Sequence, residues 1–236
     1  MTVTRLLQLA LLGTLAASCA YRLIAGPLSP LEETHQMAGA TVADDGTVTQ
    51  HLGRLRVSLR PVTDDELNRQ FAMASSQGAE STNPYTYGNW VPEGAAAPPQ
   101  RFAVFVLALE NYEYPKVLVD PANTEVRTQN GRVYAPLSFE TLRELFYPYN
   151  VAYAGGPARR FRGRVDILKR TMYPSDQPLF AGQTNSGFLV FPLLHDDVRT
   201  IAVHVREVAL RFDYSGVPTE EADLVFHFQR EVARVE

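Results

Sequence analysis

Residues 102–109 read FAVFVLAL, with an apolar side chain at every position. Because successive side chains of a β-strand point to opposite faces, a strand over this stretch is apolar on both of its faces. A strand of that kind belongs in the interior of a sheet that is covered on both sides. Residues 188–194, FLVFPLL, have the same character. The first stretch predicts a central strand, and the second predicts another strand that is apolar on both faces.

The stretch 54–60 alternates instead between apolar and basic residues, which is the pattern of a half-buried strand. Its apolar face carries Leu55, Val57 and Leu59, and its other face carries Arg54, Arg56 and Arg60. The arginine face has two interpretations. It binds phosphate or carboxylate groups, or it is the solvated side of a sheet.

The remaining strand signals predict an antiparallel meander followed by a strand-rich last third. Residues 129–132, QNGR, are a strong hairpin turn signal. Between 201 and 212 the larger apolar residues change from odd to even positions without turn residues, which predicts a β-bulge near Arg206 and Glu207. The other expected strands are 116–120, 124–128, 132–135 and 223–231.

Three helices are expected. The spacing at 63–66 is that of a capping box, so a short helix should run over 64–73. Ser138 can cap a second helix over 139–146. Residues 158–172 have apolar side chains at helical spacing among many arginines. This basic helix either lies on an anionic membrane surface or packs its apolar stripe on the protein's own sheet.

The stretch 74–100 is rich in Ser, Gly, Pro, Ala and Asn, yet it contains Tyr85, Tyr87 and Trp90, the only tryptophan. Loops longer than about 12 to 15 residues are usually functional or disordered. Aromatic side chains in such a loop can anchor a protein partner or stack on a sugar ring. Alternatively, Tyr87 and Trp90 fasten the loop to the sheet. Tyr85, Tyr87 and Trp90 are the candidate partner-binding residues.

The N-terminus has the layout of a secretory signal peptide, with one basic residue, an apolar run over 6–15, and small residues up to Cys19, the only cysteine. Small residues before a cysteine resemble the lipobox of bacterial lipoproteins. The match departs from the commonest version, because Leu15 lies four positions before Cys19 and Ala16 occupies the usual leucine position. The resemblance implies that residues 1–18 are removed and that Cys19 is lipidated.

A lipidated Cys19 would anchor the protein in a membrane. Ala20, rather than aspartate, follows the cysteine, and the resemblance then implies the outer membrane of the bacterial envelope, facing the periplasm. Residues 19–45 are expected to be a flexible tether, interrupted by Pro27 and Pro30. The alternatives are an uncleaved signal anchor and an ordinary signal peptide with an incidental cysteine. The apolar run falls short of the roughly 20 residues that span a bilayer.

Together these signals predict a mainly β protein, an antiparallel immunoglobulin-like β-sandwich with a helical insertion at about 138–173, in an α+β arrangement. A single sandwich domain is expected over 46–236, with a long loop at 74–100. This architecture is similar to the small sandwich domains of many bacterial lipoproteins. That resemblance is generic and implies no activity.

Composition and motifs argue against several classes of function. A formal net charge of −4 gives no electrostatic case for binding nucleic acid. No nucleophile elbow, metalloprotease motif, phosphate loop or dinucleotide fingerprint is found, so neither catalytic residues nor a cofactor are predicted. His195, Asp196 and Asp197 are the only compact group of possible metal ligands. Polar residues between two strands are ordinary turn chemistry, so no metal site is predicted there.

The sequence therefore predicts a non-catalytic envelope lipoprotein that acts as an adaptor or assembly component. It would hold an envelope protein partner through exposed sheet edges and the 74–100 stretch. The alternative is a glycan or peptidoglycan binder that uses the aromatic residues Tyr85, Tyr87, Trp90, Tyr147, Tyr149 and Tyr153. An enzyme is the least favoured of the three.

Overall fold

The computed structural model describes residues 22–147 and 156–235. The predicted signal peptide, Cys19, Tyr149 and Tyr153 lie outside these residues. In chain order the strands are β1 (Arg22–Ala25), β2 (Ser29–Pro30), β3 (Thr41–Val42), β4 (Val48–Leu52), β5 (Leu55–Val62), β6 (Phe102–Asn111), β7 (Lys116–Val117), β8 (Thr124–Thr128), β9 (Val133–Tyr134), β10 (Leu179–Phe180), β11 (Thr184–Pro192), β12 (Thr200–Phe212), β13 (Pro218–Gln229) and β14 (Val232–Val235). The α-helices are α1 (Asp64–Gln70), α2 (Ala72–Ser75), α3 (Phe139–Phe146) and α4 (Gly156–Thr171).

The long strands form two five-stranded sheets. Sheet I has the order β11-β6-β5-β4-β3, and sheet II has the order β2-β13-β12-β8-β9. Every pairing within them is antiparallel. Two further antiparallel pairs lie outside these sheets: β7 with β10, and β1 with β14, which we name the terminal ribbon. The predicted mainly β sandwich with a helical insertion is confirmed.

The main core lies between the two sheets. Phe105 of β6 and Phe226 and Phe228 of β13 are fully buried in it. The ring centroids of Phe105 and Phe228 are 5.5 Å apart across the sheets, and the Phe105 ring makes a T-shaped contact with Phe191 at 5.8 Å. The facing sheets therefore share one continuous apolar layer.

A second core covers the opposite face of sheet I. Phe102 and Val104 of β6 and Phe188 and Val190 of β11 point away from sheet II. The buried residues packed over them are Leu67, Tyr85, Leu142, Phe146, Ile167 and Leu168. Both strands are thus buried on both faces, as the stretches 102–109 and 188–194 predicted. β6 is an interior strand, whereas β11 lies at the edge of sheet I.

The helices over this second core begin at the predicted caps. The hydroxyl of Thr63 accepts a hydrogen bond from the Glu66 amide at 3.3 Å, and that of Ser138 accepts one from the Thr141 amide at 3.1 Å. Each cap satisfies an amide that the first helical turn would otherwise leave without an acceptor. Within the described ranges, no helix is both long enough and apolar enough to cross a membrane.

The basic helix α4 packs on the protein's own sheet. Ile167 and Leu168 are buried against sheet I. Its exposed residues include Arg159, Arg162, Lys169 and Arg170. Because the apolar stripe is already covered, it is not free to enter a bilayer, and the second interpretation of this helix is the one that the fold supports.

The arginine face of β5 pairs with the protein's own carboxylates. Arg54 lies 2.9 Å from Glu113, and Arg60 lies 2.8 Å from Glu66. Arg56 pairs with Glu110 of the neighbouring strand. The solvated-side interpretation of these arginines therefore describes the structure better than a dedicated anion site.

The strand details of the second half are confirmed in part. The register of β12 and β13 shifts between Val205 and Val208, and Glu207 has a φ of 55°, which confirms the predicted bulge. β8 and β9 form the predicted hairpin. The strand predicted over 116–120 is wrong beyond Leu118, which still forms an antiparallel bridge with Ala209. The Asp120 carboxylate accepts a hydrogen bond from the Ala122 amide at 2.9 Å and starts a 3-10 turn instead.

The prediction of a flexible tether over 19–45 is wrong from residue 22 onward. β1 pairs with β14, and β2 with the end of β13. The Gln36 side chain donates to the His227 carbonyl at 2.8 Å and accepts from its amide at 2.9 Å, in the manner of an extra strand. Strands of two to four residues are too short to show periodicity, so this segment resembled a linker. The folded domain starts well before residue 46.

Gly187 of β11 lies directly against the backbone of the chain that follows α4. A Cβ atom there would lie 2.4 Å from the backbone nitrogen of Tyr173 and 2.5 Å from its Cα. We expect Gly187→Ala to lower the free energy of unfolding by about 1 to 3 kcal/mol, because backbone has to move. Urea unfolding measures the change.

Gly163→Ala in α4 is the matched control. A Cβ atom there would meet nothing nearer than Thr82 Cβ at 3.9 Å, so the higher helix propensity of alanine should raise stability by about 0.5 to 1 kcal/mol. If Gly187→Ala and Gly163→Ala lowered the free energy of unfolding equally, the packing described for Gly187 would be contradicted.

Candidate functional site

The first half of the long stretch 74–100 is an ordered loop rather than a flexible one. The Thr82 amide donates to the Ala74 carbonyl at 2.8 Å, and the Asn89 amide donates to the Ser75 carbonyl at 2.8 Å. Gly88 has a φ of 63°, and a Cβ atom there would lie 2.4 Å from the Ser75 carbonyl oxygen. These contacts fold residues 74–90, the aromatic loop, back onto α2.

Tyr85 is the residue that fastens this loop to the sheet. Its side chain is fully buried, and its ring makes a T-shaped contact with Phe188 of β11 at 5.1 Å. Its hydroxyl lies 2.5 Å from the Thr171 hydroxyl at the end of α4. Burial raises the pKa of Tyr85, and the Thr171 hydrogen bond opposes that rise. The prediction that Tyr85 binds a partner is wrong, because no partner can reach it.

Tyr87 and Trp90 instead face a cavity of about 480 Å³, the Trp90 cavity. Their ring centroids are 5.7 Å apart, and both side chains are half-buried. The cavity lies where the aromatic loop, the residue before β6, the end of α3 and one side of α4 meet. Its lining residues are Ala79, Glu80, Ser81, Thr86, Tyr87, Trp90, Arg101, Phe146, Arg160 and Arg164.

Three arginines give this cavity its charge. The Arg101 guanidinium carbon lies 4.9 Å from the Tyr87 ring centroid and 4.6 Å from that of Phe146, and both contacts are cation–π geometries. Arg164 lies 5.0 Å from the Phe146 ring and donates to the Ser81 carbonyl at 2.5 Å. Both guanidinium groups are therefore held in place.

The third arginine, Arg160, lies one turn before Arg164 on the same side of α4. It pairs with Glu80 at 2.5 Å, and Glu80 is the only carboxylate among the residues that line the cavity. Three cations against one anion leave the lining positive. An ordered positive lining with half-buried aromatic rings is suited to an anion that also has an apolar face.

Sequence reasoning missed all three arginines. Arg160 and Arg164 are spaced i, i+4 and so share one side of a helix, a signal that the sequence contained but that many other arginines in 158–172 obscured. Arg101 precedes a core strand and had no local signal. Only the tertiary structure brings it to the loop.

The other predicted site residues lie elsewhere. Tyr147 is half exposed, with its ring 6.1 Å from that of Phe161, and it does not line the Trp90 cavity. Tyr149 and Tyr153 lie outside the described residues. Of the predicted aromatic set, the structure brings together Tyr87 and Trp90.

The His195-Asp196-Asp197 group is engaged in local contacts. The His195 ring nitrogen Nδ1 lies 2.7 Å from the Tyr134 hydroxyl. Asp197 accepts hydrogen bonds from Arg132 at 2.6 Å and from Asn130 at 3.0 Å, and the Arg132 guanidinium holds the pKa of Asp197 below its usual range. In the part of the chain that the structure describes, no three His, Cys, Asp or Glu side chains are placed to hold one metal ion.

Comparison with known proteins identifies no family. No protein-family model matches the chain, and no curated protein matches it. Among solved structures it is similar to a functionally unknown protein from Listeria monocytogenes, with a TM-score of 0.37, 12% identity, and coverage of 89% of this chain and 88% of that one.

Two further solved structures give TM-scores and identities of the same order. The yjhA protein from Bacillus subtilis gives a TM-score of 0.36 at 8% identity, over 75% of this chain and 93% of that one. The secreted protein MPT63 from Mycobacterium tuberculosis gives 0.30 at 13% identity, over 70% and 89%. Likenesses at this level say nothing of an activity.

Substitution of Tyr85 and of Trp90 should lower stability by very different amounts. Tyr85→Ala removes a fully buried ring and should cost about 3 to 5 kcal/mol of unfolding free energy. Tyr85→Phe should cost only about 1 kcal/mol, since the Thr171 hydroxyl keeps its bond to the Ile167 carbonyl at 2.7 Å.

Trp90→Ala should cost less than about 1 kcal/mol, because Trp90 lines an open cavity and fills no core. Thermal and urea unfolding of the three variants check this order. A loss at Trp90 as large as that of Tyr85→Ala would make Trp90 a core residue and remove it from the site.

Proposed function

We propose that this chain is a lipoprotein anchored in the bacterial envelope through Cys19, and that it acts without catalysis by binding an acidic saccharide in the Trp90 cavity. The observation that carries the proposal is that Arg101, Arg160 and Arg164 line one cavity together with Tyr87 and Trp90. These residues come from three separate segments, and each arginine is held by a contact of its own.

The size of the cavity supports a small ligand. Ligand pockets are usually about 300 to 1,000 Å³, and this cavity has about 480 Å³. Protein partners are instead met by broad surfaces that bury about 800 Å² on each side. A sugar ring has an apolar face that stacks on tryptophan or tyrosine, and a carboxylate on that sugar would accept charge-assisted hydrogen bonds from arginine.

The sheet edges give little support to an adaptor that works by strand addition. β2, β3 and β9 are two residues long. The edge of β11 is occupied in part, since its Phe188 and Val190 carbonyls accept bonds from the Tyr173 and Leu137 amides. The free end of β13 begins with Pro218 and carries acidic side chains, which discourage pairing with another strand.

Titration of the mature, lipidated protein with sugars tests the proposal. Trp90 is the only tryptophan, so its fluorescence reports on the cavity directly. N-acetylmuramic acid and glucuronic acid should change the emission at concentrations at least tenfold lower than N-acetylglucosamine and glucose, which lack the carboxylate. The two acids distinguish a cell-wall source from an acidic polysaccharide.

Two neighbouring arginines of α4 provide matched variants. Arg160→Gln should weaken the binding of the acidic sugars about tenfold, since loss of one charge-assisted hydrogen bond corresponds to about 1.4 kcal/mol. Arg159→Gln removes the same charge from the exposed side of the helix and should change nothing. If both variants weaken sugar binding equally, the effect is one of net charge alone. If none of the four sugars changes the Trp90 fluorescence, an acidic saccharide is not the ligand.

A protein adaptor remains a second candidate because of the β12–β13 hairpin tip. Tyr214 is fully exposed there. Asp213 fixes the turn by accepting hydrogen bonds from the Ser215 amide at 2.9 Å, the Ser215 hydroxyl at 2.7 Å and the Val217 amide at 2.9 Å. An aromatic side chain on a rigid turn is suited to anchor in a partner's pocket with little loss of entropy.

In-cell crosslinking and co-purification test this second candidate. We expect one discrete envelope protein to be enriched by the natural chain and reduced at least fivefold by Tyr214→Ala. Val133→Ala, which trims an exposed apolar residue on β9, should leave the yield unchanged. If both variants lose the co-purified protein, or if neither does, the hairpin tip is not the adaptor's binding site.

A further inference from the structure

The first described strand starts only three residues after the predicted lipidation site. Ala20 and Tyr21 alone separate Cys19 from Arg22 at the start of β1. Whatever their conformation, three residue steps span at most about 11 Å. The headgroup layer on each side of a bilayer is about 5 to 8 Å thick. A diacylated Cys19 therefore requires the start of β1 to lie within or just above the headgroups.

The terminal ribbon has an exposed apolar face at that position. Ile24 is directly opposite Ala233, and Val235 is opposite position 22, an arginine. One face of the ribbon therefore carries Ile24, Ala233 and Val235, with position 22 at its start. Ile24 is 50% exposed and Val235 is 43% exposed. Large apolar residues on the surface of a two-stranded ribbon are suited to an interface that is itself partly apolar.

The ribbon is also joined to the sandwich without a flexible break. The Gly26 amide donates to the Glu231 carbonyl at 2.8 Å immediately beyond the paired residues. β13 ends at Gln229 and β14 begins at Val232, so the ribbon continues directly from sheet II. The orientation of the ribbon on a membrane would therefore also orient the domain.

We propose that the face of the terminal ribbon formed by Ile24, Ala233 and Val235 docks on the phospholipid surface next to the lipidated Cys19. The inference rests on the lipidation in the proposed function and adds to it a defined contact and orientation. The anchor supplies the membrane affinity, because two or more acyl chains hold a protein stably. The ribbon face determines which side of the domain meets the headgroups.

A fluorescent label on the ribbon tests this contact. Lipidation leaves no free thiol in the natural chain, so Ala233→Cys can carry an environment-sensitive label on the docking face while Ile24 and Val235 remain. In lipidated protein reconstituted into phosphatidylethanolamine and phosphatidylglycerol vesicles, lipids that carry a quencher should quench this label at least threefold more than a label at Tyr214→Cys. An equal response at the two positions would overturn the proposal.

Two added variants separate the anchor from the ribbon. A Gly/Ser insertion of 20 residues after Ala20 gives a reach of about 25 Å and should lower the quenching at position 233 by at least half. Ile24→Ser should also lower it, whereas Val133→Ser, at an exposed apolar residue outside the ribbon, should not. If neither the insertion nor Ile24→Ser changes the quenching at position 233, the docking contact is overturned.

The mass of the N-terminal peptide keeps the two proposals distinct. Unmodified Cys19 in the purified protein would overturn the lipoprotein assignment itself. If Cys19 is diacylated but the label at position 233 stays in water, the ribbon contact is overturned. The lipoprotein assignment is then unaffected.

Discussion

Burial of sheet I on both faces is the constraint on which the rest of this structure depends. Phe105 of β6 points into the sandwich while Phe102 and Val104 point out of it. Each fully buried side chain of this size contributes about 1.5 to 3 kcal/mol, so neither face can be left in water. Sheet II covers one face. The other requires a separate cover, which the helical insertion and the aromatic loop supply together.

The Trp90 cavity is a consequence of how that second cover is assembled. The aromatic loop reaches sheet I through Tyr85, and this places Tyr87 and Trp90 just outside the core. α4 turns Ile167 and Leu168 inward, and the same rotation places Arg160 and Arg164 along its flank. The residues that line the cavity are thus positioned by the same segments that cover sheet I.

The sequence predicted most of this fold where a local pattern exists, as in the two-sided stretch 102–109, the caps at Thr63 and Ser138, and the bulge at Glu207. It failed where pairing partners alone create structure. The strands between Arg22 and Val42 have two to four residues, too few for a period. They are ordered by pairing with β14, β13 and β4. In the aromatic loop no period distinguishes buried Tyr85 from Tyr87, and Arg101 joins the cavity only through tertiary contact.

The folded N-terminal segment also defines which end of the domain lies nearest to Cys19. β13 runs over 12 residues from the hairpin tip to the terminal ribbon, which is about 40 Å at the rise of a strand. The hairpin tip with Tyr214 therefore lies about one strand length from the terminal ribbon. Gln100, next to Arg101, lines a small cavity of about 180 Å³ together with Ala25 and Gly26, so the Arg101 side of the Trp90 cavity lies near the ribbon end. A saccharide bound there would be held near the headgroups, whereas a protein bound at the hairpin tip would meet the domain from the opposite end. The two candidate functions therefore use different parts of the domain, and neither excludes the other.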